Sequence, residues 1–167
     1  LLEAFQSIVA AHPQTTLLLM GFPGVDIYRG KARALGIQDS VLFTGRVAYG
    51  DAPRYLALGD AAVAPKLSLT EGAGKMLNYM AVGLPTVAFD TPVAHEILGD
   101  DGLYAVRGDV PSLAALLELA LYDEPTRRRT ARALRERALT HFDWQEAGKE
   151  IVRAYAEVTR IHGSNLE

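Results

Sequence analysis

Five short runs of almost continuous apolar residues recur along the chain: TLLLM at 16–20, VLFT at 41–44, AAVA at 61–64, TVAF at 86–89 and LYAV at 103–106. A strand that is apolar on both sides needs cover on both faces, which is the situation of parallel strands sandwiched between helices. The intervals carry helical periodicity instead, at 1–11, 26–35, 52–58, 74–82, 94–98 and 111–122. Beyond Asp123 the pattern is wholly helical, over 124–142 and 144–161, with a break at Asp143. The alternation predicts an α/β chain built on a doubly wound parallel sheet, with two closing C-terminal helices.

At 167 residues and 49% hydrophobic content, the chain can bury one sizeable core and is short for two. Residues 1–162 are expected to form a single domain, and 163–167 a tail whose Leu166 and Glu167 read as a cloning scar. The start on Leu1, already in helical periodicity and without Met, reads as a piece of a longer protein. The net charge of -3, with the arginines of 127–137 read as a solvated face, argues against nucleic acid or an anionic membrane as partner. The absence of cysteine excludes disulfides, thiolate metal sites and cysteine nucleophiles, and fits a cytoplasmic chain. No apolar run reaches the roughly 18 residues of a membrane helix.

In a doubly wound sheet, ligands gather beyond the carboxyl ends of the strands. Of the loops there, the one opening TEGAGKMLNYMAVGLPTVAFD at 70–90 is chemically the richest. Glu71, Lys75 and Asn78 follow at spacings of four and three, so a helix starting near Ala73 sets Lys75 and Asn78 on one stripe with Glu71 just ahead. Met76, Leu77, Met80 and Ala81 take the core side. Gly72 and Gly74 strip side chains from a turn whose amides suit phosphate, and Lys75 adds a mobile cation. Glu71 is wrong for phosphate and right for accepting from sugar hydroxyls. The competing reading makes Glu71 a first-turn acid paired with Lys75 at i, i+4. Neither GxxxxGK[ST] nor GxGxxG is present.

The run APKLSLTEGAGKMLNYMAVGLPTVAFDTPVAHEIL resembles the signature of retaining family 4 glycosyltransferases, the group 1 glycosyl transferases of GT-B fold: P-S-x-x-E-G-x-G, then L-E-A-M-A-x-G-x-P-V-V-A, then E-I-V. TLLLMGFPG, VLFTGRV, YLALGDAAVAP and HFDWQEAGKEIVRAY are similar to further motifs of that family, so some 150 residues are covered in register. The resemblance implies the C-terminal, Rossmann-like half of a GT-B enzyme, which binds the nucleotide-sugar donor. It puts Glu71 on the donor sugar's hydroxyls, and the amides of Gly72, Ala73 and Gly74 on the diphosphate with Lys75. It also brings Arg46 and Val47 to the nucleotide base, and puts Asn78 where a second glutamate usually holds the ribose. Thr91 and Pro92 replace the usual glycine pair near the sugar, and Glu96 matches the acid of E-I-V. His95 has no partner in the sequence pattern, and Trp144 and Tyr155 read as packing anchors of the last helix.

The implied reaction is transfer of a sugar from a UDP-, GDP- or ADP-sugar with retention, and the lack of any Asp-x-Asp string fits a metal-independent site with no cofactor. Catalytic groups, a sugar or lipid-linked acceptor and further basic phosphate ligands belong, by resemblance, to parts of the enzyme before Leu1. The chain alone is then expected to bind nucleotide and turn over nothing, and the full-length enzyme to be cytoplasmic or peripheral at the inner membrane. The alternatives are a GT-B nucleotide-sugar epimerase or phosphorylase domain, or a non-catalytic interaction domain. A receiver-type module is disfavoured because no acidic pair ends the early strands. In strand order 3-2-1-4-5-6 the first strand also lies before Leu1 and is central, between the runs at 16–20 and 61–64. Ordered upstream residues, a strand from a second copy in a homodimer, or direct pairing of the two flanking strands would each satisfy their edges.

Overall fold

The structure is a computed structural model that describes residues 1–163. Helices and strands alternate in the order α1 (Leu2–Ala11), β1 (Leu17–Met20), α2 (Val25–Ala34), β2 (Val41–Gly45), α3 (Ala52–Leu56), β3 (Ala62–Ala64), α4 (Lys75–Ala81), β4 (Thr86–Phe89), α5 (Pro92–Leu98), β5 (Leu103–Ala105), α6 (Val110–Tyr122), α7 (Glu124–His141) and α8 (Trp144–Gly163), with short 3-10 turns at 38–40, 49–51 and 99–101. Every strand pairing is parallel. Gly163 closes α8, and the remainder of the expected tail, 164–167, lies outside the described residues.

Local chemistry accounts for the helix starts. Asp109 accepts from the amide of Ser112 at 2.6 Å and Asp123 from that of Thr126 at 2.9 Å, each followed by a proline in the first turn, where its missing N–H is no loss. Thr91 does the same for α5, accepting from the Ala94 amide at 3.2 Å, and is buried. This gives Thr91 a structural task beside the sugar-proximal place implied by resemblance. Gly83, at φ 77°, ends α4: the Leu84 amide reaches back to the Tyr79 carbonyl at 3.0 Å, a closure that needs a left-handed residue.

Two buried clusters flank the strands. One joins Phe5 and Ile8 of α1 to Val41 of β2, Val87 and Phe89 of β4, and Leu113 and Leu117 of α6. The other, on the opposite face, joins Met76 and Met80 of α4 to Leu98 of α5 and Leu134 of α7. β4 is buried throughout, as its unbroken apolar run requires.

The sheet is divided. β1 pairs only with β2, and β3, β4 and β5 form a separate sheet in that order. β1 and β3 do not pair directly, which removes that one of the three expected arrangements; their facing edges border a cavity of about 1530 Å³ lined by Leu17, Leu19, Ala62 and Val63 among others. The first cluster spans the division, since it holds Val41 of β2 together with Val87 and Phe89 of β4 and residues of α1 and α6.

Two expectations are corrected at the C-terminal end. Trp144 and Tyr155 do not anchor α8: they are 87% and 70% exposed, and Ile151 and Val152 of the same helix are exposed too. Amphipathic spacing records a helix built to bury one face, and says nothing of whether these 163 residues supply the surface for it. The arginines of 127–137 are more than a solvated face, since Arg137 donates from Nε to the Ile97 carbonyl at 2.9 Å and from Nη2 to that of Glu96 at 3.0 Å, tying α7 to α5. Among the described residues no helix is long and apolar enough to cross a membrane.

Candidate functional site

The loop between β3 and α4 leaves the carboxyl end of its strand and is folded by its own polar groups. The Ser68 hydroxyl oxygen accepts from the amides of Thr70 and Glu71 at 3.4 and 3.2 Å, bending the chain so that Glu71 projects into solvent. Arg107, from the loop after β5, donates to the Leu67 carbonyl at 3.3 Å and fastens the loop's other side. Met76 and Met80 are buried beneath it, whereas Lys75 and Asn78 lie on the exposed stripe, as their spacing predicts. Ala81, expected on the core side, is exposed, because α4 ends there and the chain turns away at Val82 and Gly83.

Charge in the loop is arranged differently from the expected Glu71–Lys75 pair. Glu71 is bridged by Lys66, whose ammonium lies 2.8 Å from the carboxylate and also donates to the Gly72 carbonyl at 2.9 Å. That hydrogen bond, with the Lys66 charge behind it, holds the Glu71 carboxyl below the usual glutamate range. Protein crowding around the Lys75 ammonium pushes it below the ordinary lysine value, and the charge of Lys66 adds to the effect. An opposite charge of ligand origin would relieve that penalty.

Gly72 and Gly74 have no structural reason to be glycine. Neither adopts the left-handed conformation, Gly74 lying at φ -51°, and a Cβ on either would meet open space. Gly102 is the contrast, because a Cβ there would stand 2.6 Å from the Tyr104 ring. The amides of Gly72, Ala73 and Gly74 donate to no group among the described residues. A turn kept bare without conformational or packing need, with free amides beside two lysines, has the make-up of an anion cradle. Because α4 has only seven residues, the individual amides and the lysines matter here more than a helix dipole.

The other strand ends complete the rim. β2 ends at Gly45, and the exposed Arg46 guanidinium lies over the Phe22 ring at 5.0 Å, so the loops after β1 and β2 present a flat cationic and aromatic surface. Val47 is half-buried beside it. At the end of β4, Asp90 meets His95 Nε2 at 2.8 Å, and the His95 ring stacks on Tyr104. The expectation that His95 lacks an acid partner is thereby corrected; the five-residue offset spans a strand end and a helix turn, which sequence periodicity does not join. Burial, assisted by Asp100, Asp101 and Asp90 and opposed by Arg137, pushes the Tyr104 hydroxyl up to about 12, and that hydroxyl donates to the Gly99 carbonyl. Glu96 is exposed on α5.

The family described as glycosyl transferases group 1 matches residues 1–137. The chain belongs to the group 1 glycosyl transferases. Within known group 1 and related enzymes it is 28% identical to a phosphatidyl-myo-inositol mannosyltransferase of Mycobacterium leprae, over all of this chain and 44% of that protein. It is 30% identical to a glycogen synthase of Mycobacterium tuberculosis, over 95% of this chain and 39% of that protein. In structure it is similar to HepE of Anabaena solved in complex with UDP (TM-score 0.83, 22% identity, 94% of this chain and 44% of that one). It is likewise similar to sucrose-phosphate synthase of Thermosynechococcus elongatus (TM-score 0.82, 22% identity, 96% and 42%). The GT-B likeness of the fold is thus established, and the chain spans about two fifths of the length of these proteins.

Set against the group 1 motif P-S-x-x-E-G, the sequence keeps Ser68 three residues before Glu71 and inserts Lys66 and Leu67 after Pro65. That insertion is the signal by which Lys66 could have been singled out. The bare turn makes a direct test in this group 1 chain. Gly74→Ala fits the observed backbone and open space, so it leaves stability equal or raises it by about 0.4–1 kcal/mol. For an anion seated in the turn, with a nucleoside diphosphate as the probe, the same methyl group would lower affinity about tenfold, roughly 1.4 kcal/mol. Thermal melts and calorimetric titration on one protein sample read both, and equal loss of both would make the glycine structural.

Proposed function

We propose that this chain is the donor-binding part of a retaining glycosyltransferase, which transfers a sugar from a nucleoside-diphosphate donor to an acceptor held elsewhere in the enzyme. The observation that carries the reading is the turn of Gly72, Ala73 and Gly74: bare, with free amides, and set between an acceptor, Glu71, and a cation, Lys75. In the reaction the bond from the anomeric carbon to the diphosphate oxygen breaks, the acceptor oxygen bonds to the same face of that carbon, and the acceptor hydroxyl's proton leaves with the diphosphate. Charge grows on the departing diphosphate, where the turn's amides and Lys75 stabilise it. Glu71 accepts from donor-sugar hydroxyls and orients the ring, Asn78 faces the ribose as an uncharged donor and acceptor, and Arg46 and Val47 border the base. This apportioning needs no metal or cofactor.

UDP bound to HepE and the relatives' names support a nucleotide-sugar donor, with UDP, GDP and ADP as the candidate nucleotides. The same reading treats residues 1–162 as one nucleotide-sugar-binding unit of a cytoplasmic enzyme, peripheral at the inner membrane in its full length. The open edges of β1 and β3 then accept a strand from the rest of the enzyme, or from a second copy in a homodimer. Calorimetry on the chain should register UDP or GDP at high micromolar affinity or weaker, about -4 to -6 kcal/mol, and nucleosides more weakly still. Equal affinity for nucleosides and their diphosphates would remove the phosphate cradle from this reading.

A further inference from the structure

Lys66 has no role in the proposal above, yet it controls the group that the proposal needs free. Its ammonium sits 2.8 Å from Glu71 and donates to the Gly72 carbonyl at 2.9 Å, so the sugar-facing acceptor is occupied by a cation in the ligand-free chain. We propose that Lys66 is an exchangeable counter-ion: it masks Glu71 until a nucleoside diphosphate enters the adjoining turn, then passes to the diphosphate and releases the carboxylate to the sugar. This rests on the nucleotide-sugar reading of the same site.

The competition between ligands decides the order. A sugar hydroxyl is an uncharged donor that trades a bond to water for one to the carboxylate, whereas the ammonium brings a full opposite charge and a second hydrogen bond to the Gly72 carbonyl, so the hydroxyl alone does not displace it. A diphosphate carries multiple charges and does. The exchange is cheap, because Glu71 is 71% exposed and ion pairs of this kind contribute little to stability. The lysine stem is suited to the movement: its side chain is only 32% exposed, so the stem is held by the protein while the flexible four-carbon chain lets the ammonium swing. Lys66 reaches the turn through the Gly72 carbonyl and Lys75 directly follows Gly74, which puts both cations at the turn whose amides donate to no group among the described residues. The three side chains Lys66, Lys75 and Glu71 carry a net charge of +1 throughout, and the exchange changes only which anion Lys66 faces. Binding energy from the diphosphate is thereby spent on preparing the sugar contact, so a sugar without its nucleotide finds the acceptor closed.

The test is 13C NMR of the chain labelled at glutamate carboxyls, with the Glu71 resonance identified from Glu71→Gln. Titrations are run free and with UDP, GDP or ADP, with the matching nucleosides as controls. The carboxyl is expected below the ordinary glutamate range in the free chain, moving up towards it with the diphosphate that binds, and unmoved by the nucleosides. In Lys66→Met it should titrate in the ordinary range from the start, and affinity for the diphosphate should fall about tenfold with nucleoside affinity unchanged. Lys66→Arg should restore the wild-type pattern. Amide spectra check the fold of each variant, and should Lys66→Met unfold, the diphosphate and nucleoside arms on the wild-type chain decide alone. Saturable diphosphate binding without movement of the Glu71 carboxyl, or with full affinity in folded Lys66→Met, overturns the exchange and leaves the nucleotide reading standing. Absence of binding by any nucleotide overturns both.

Discussion

Lys75→Ala in the full-length enzyme is expected to slow sugar transfer by about 30- to 150-fold, or roughly 2–3 kcal/mol of barrier. The ammonium is crowded by protein and lies next to a second cation, Lys66, so the protein holds it at some cost in the free state. A developing diphosphate charge relieves that cost most when the charge is largest, in the transition state, so the loss should fall mainly on kcat. Glu71→Ala should also slow transfer, by about 10- to 100-fold, because a hydrogen bond to an ionised acceptor is lost at the sugar. Ala73→Ser, between them in the chain, removes neither charge nor acceptor and should lose far less. Steady-state kinetics on the three variants separates this from a helix-start role for Glu71 and Lys75: unchanged kcat in the first two would return them to that role.

Met80→Ala should be the most destabilising of the changes considered, by about 2–5 kcal/mol. Met80 is fully buried beneath the loop between β3 and α4, in the cluster that joins α4 to Leu98 and Leu134. A cavity there cannot collapse easily, since its walls belong to three separate helices. Against a typical total stability of about 5–15 kcal/mol, this is a substantial fraction. Trp144→Ala is the instructive comparison: the only tryptophan of the chain is 87% exposed, and its removal should shift stability by less than about 0.5 kcal/mol. Urea denaturation of both variants gives the two numbers, and a larger loss at Trp144 would mean that α8 packs against something after all.

The contrast between Met80 and Trp144 also marks how far the sequence could be read. The Thr86–Phe89 strand was legible to the residue because an unbroken apolar run bounded by Pro85 and Asp90 leaves one arrangement open. The stripe of Lys75 and Asn78 over Met76 and Met80 was legible because a period of 3.6 assigns faces. Periodicity records that α8 has an apolar face without saying what covers it, which is why Trp144 and Tyr155 were misplaced. Side-chain pairings across turns were equally hidden: Asp90 with His95, and Lys66 with Glu71, are set by backbone direction at strand and helix ends. The family motif pointed at Glu71 and passed over Lys66, because a motif describes positions held in common and Lys66 falls in an insertion. The division of the sheet follows from strand edges, and an edge has no signature in the apolar runs themselves.

That division has a dynamic side. Hydrogen bonds across a continuous sheet make its strands open and close together, whereas β1 and β2 share none with β3, β4 and β5. The two sets are coupled through the side chains of α1 and α6, so the smaller can loosen while the buried β4 stays closed. Phe22, Arg46 and Val47 ride on the smaller set, and Glu71, Gly72, Gly74 and Lys75 on the larger. Without a strand between them, a nucleotide lying across both would tie the two sets together and part of its affinity would go into stilling their relative motion, whereas a strand seated in the gap would supply that stiffness beforehand.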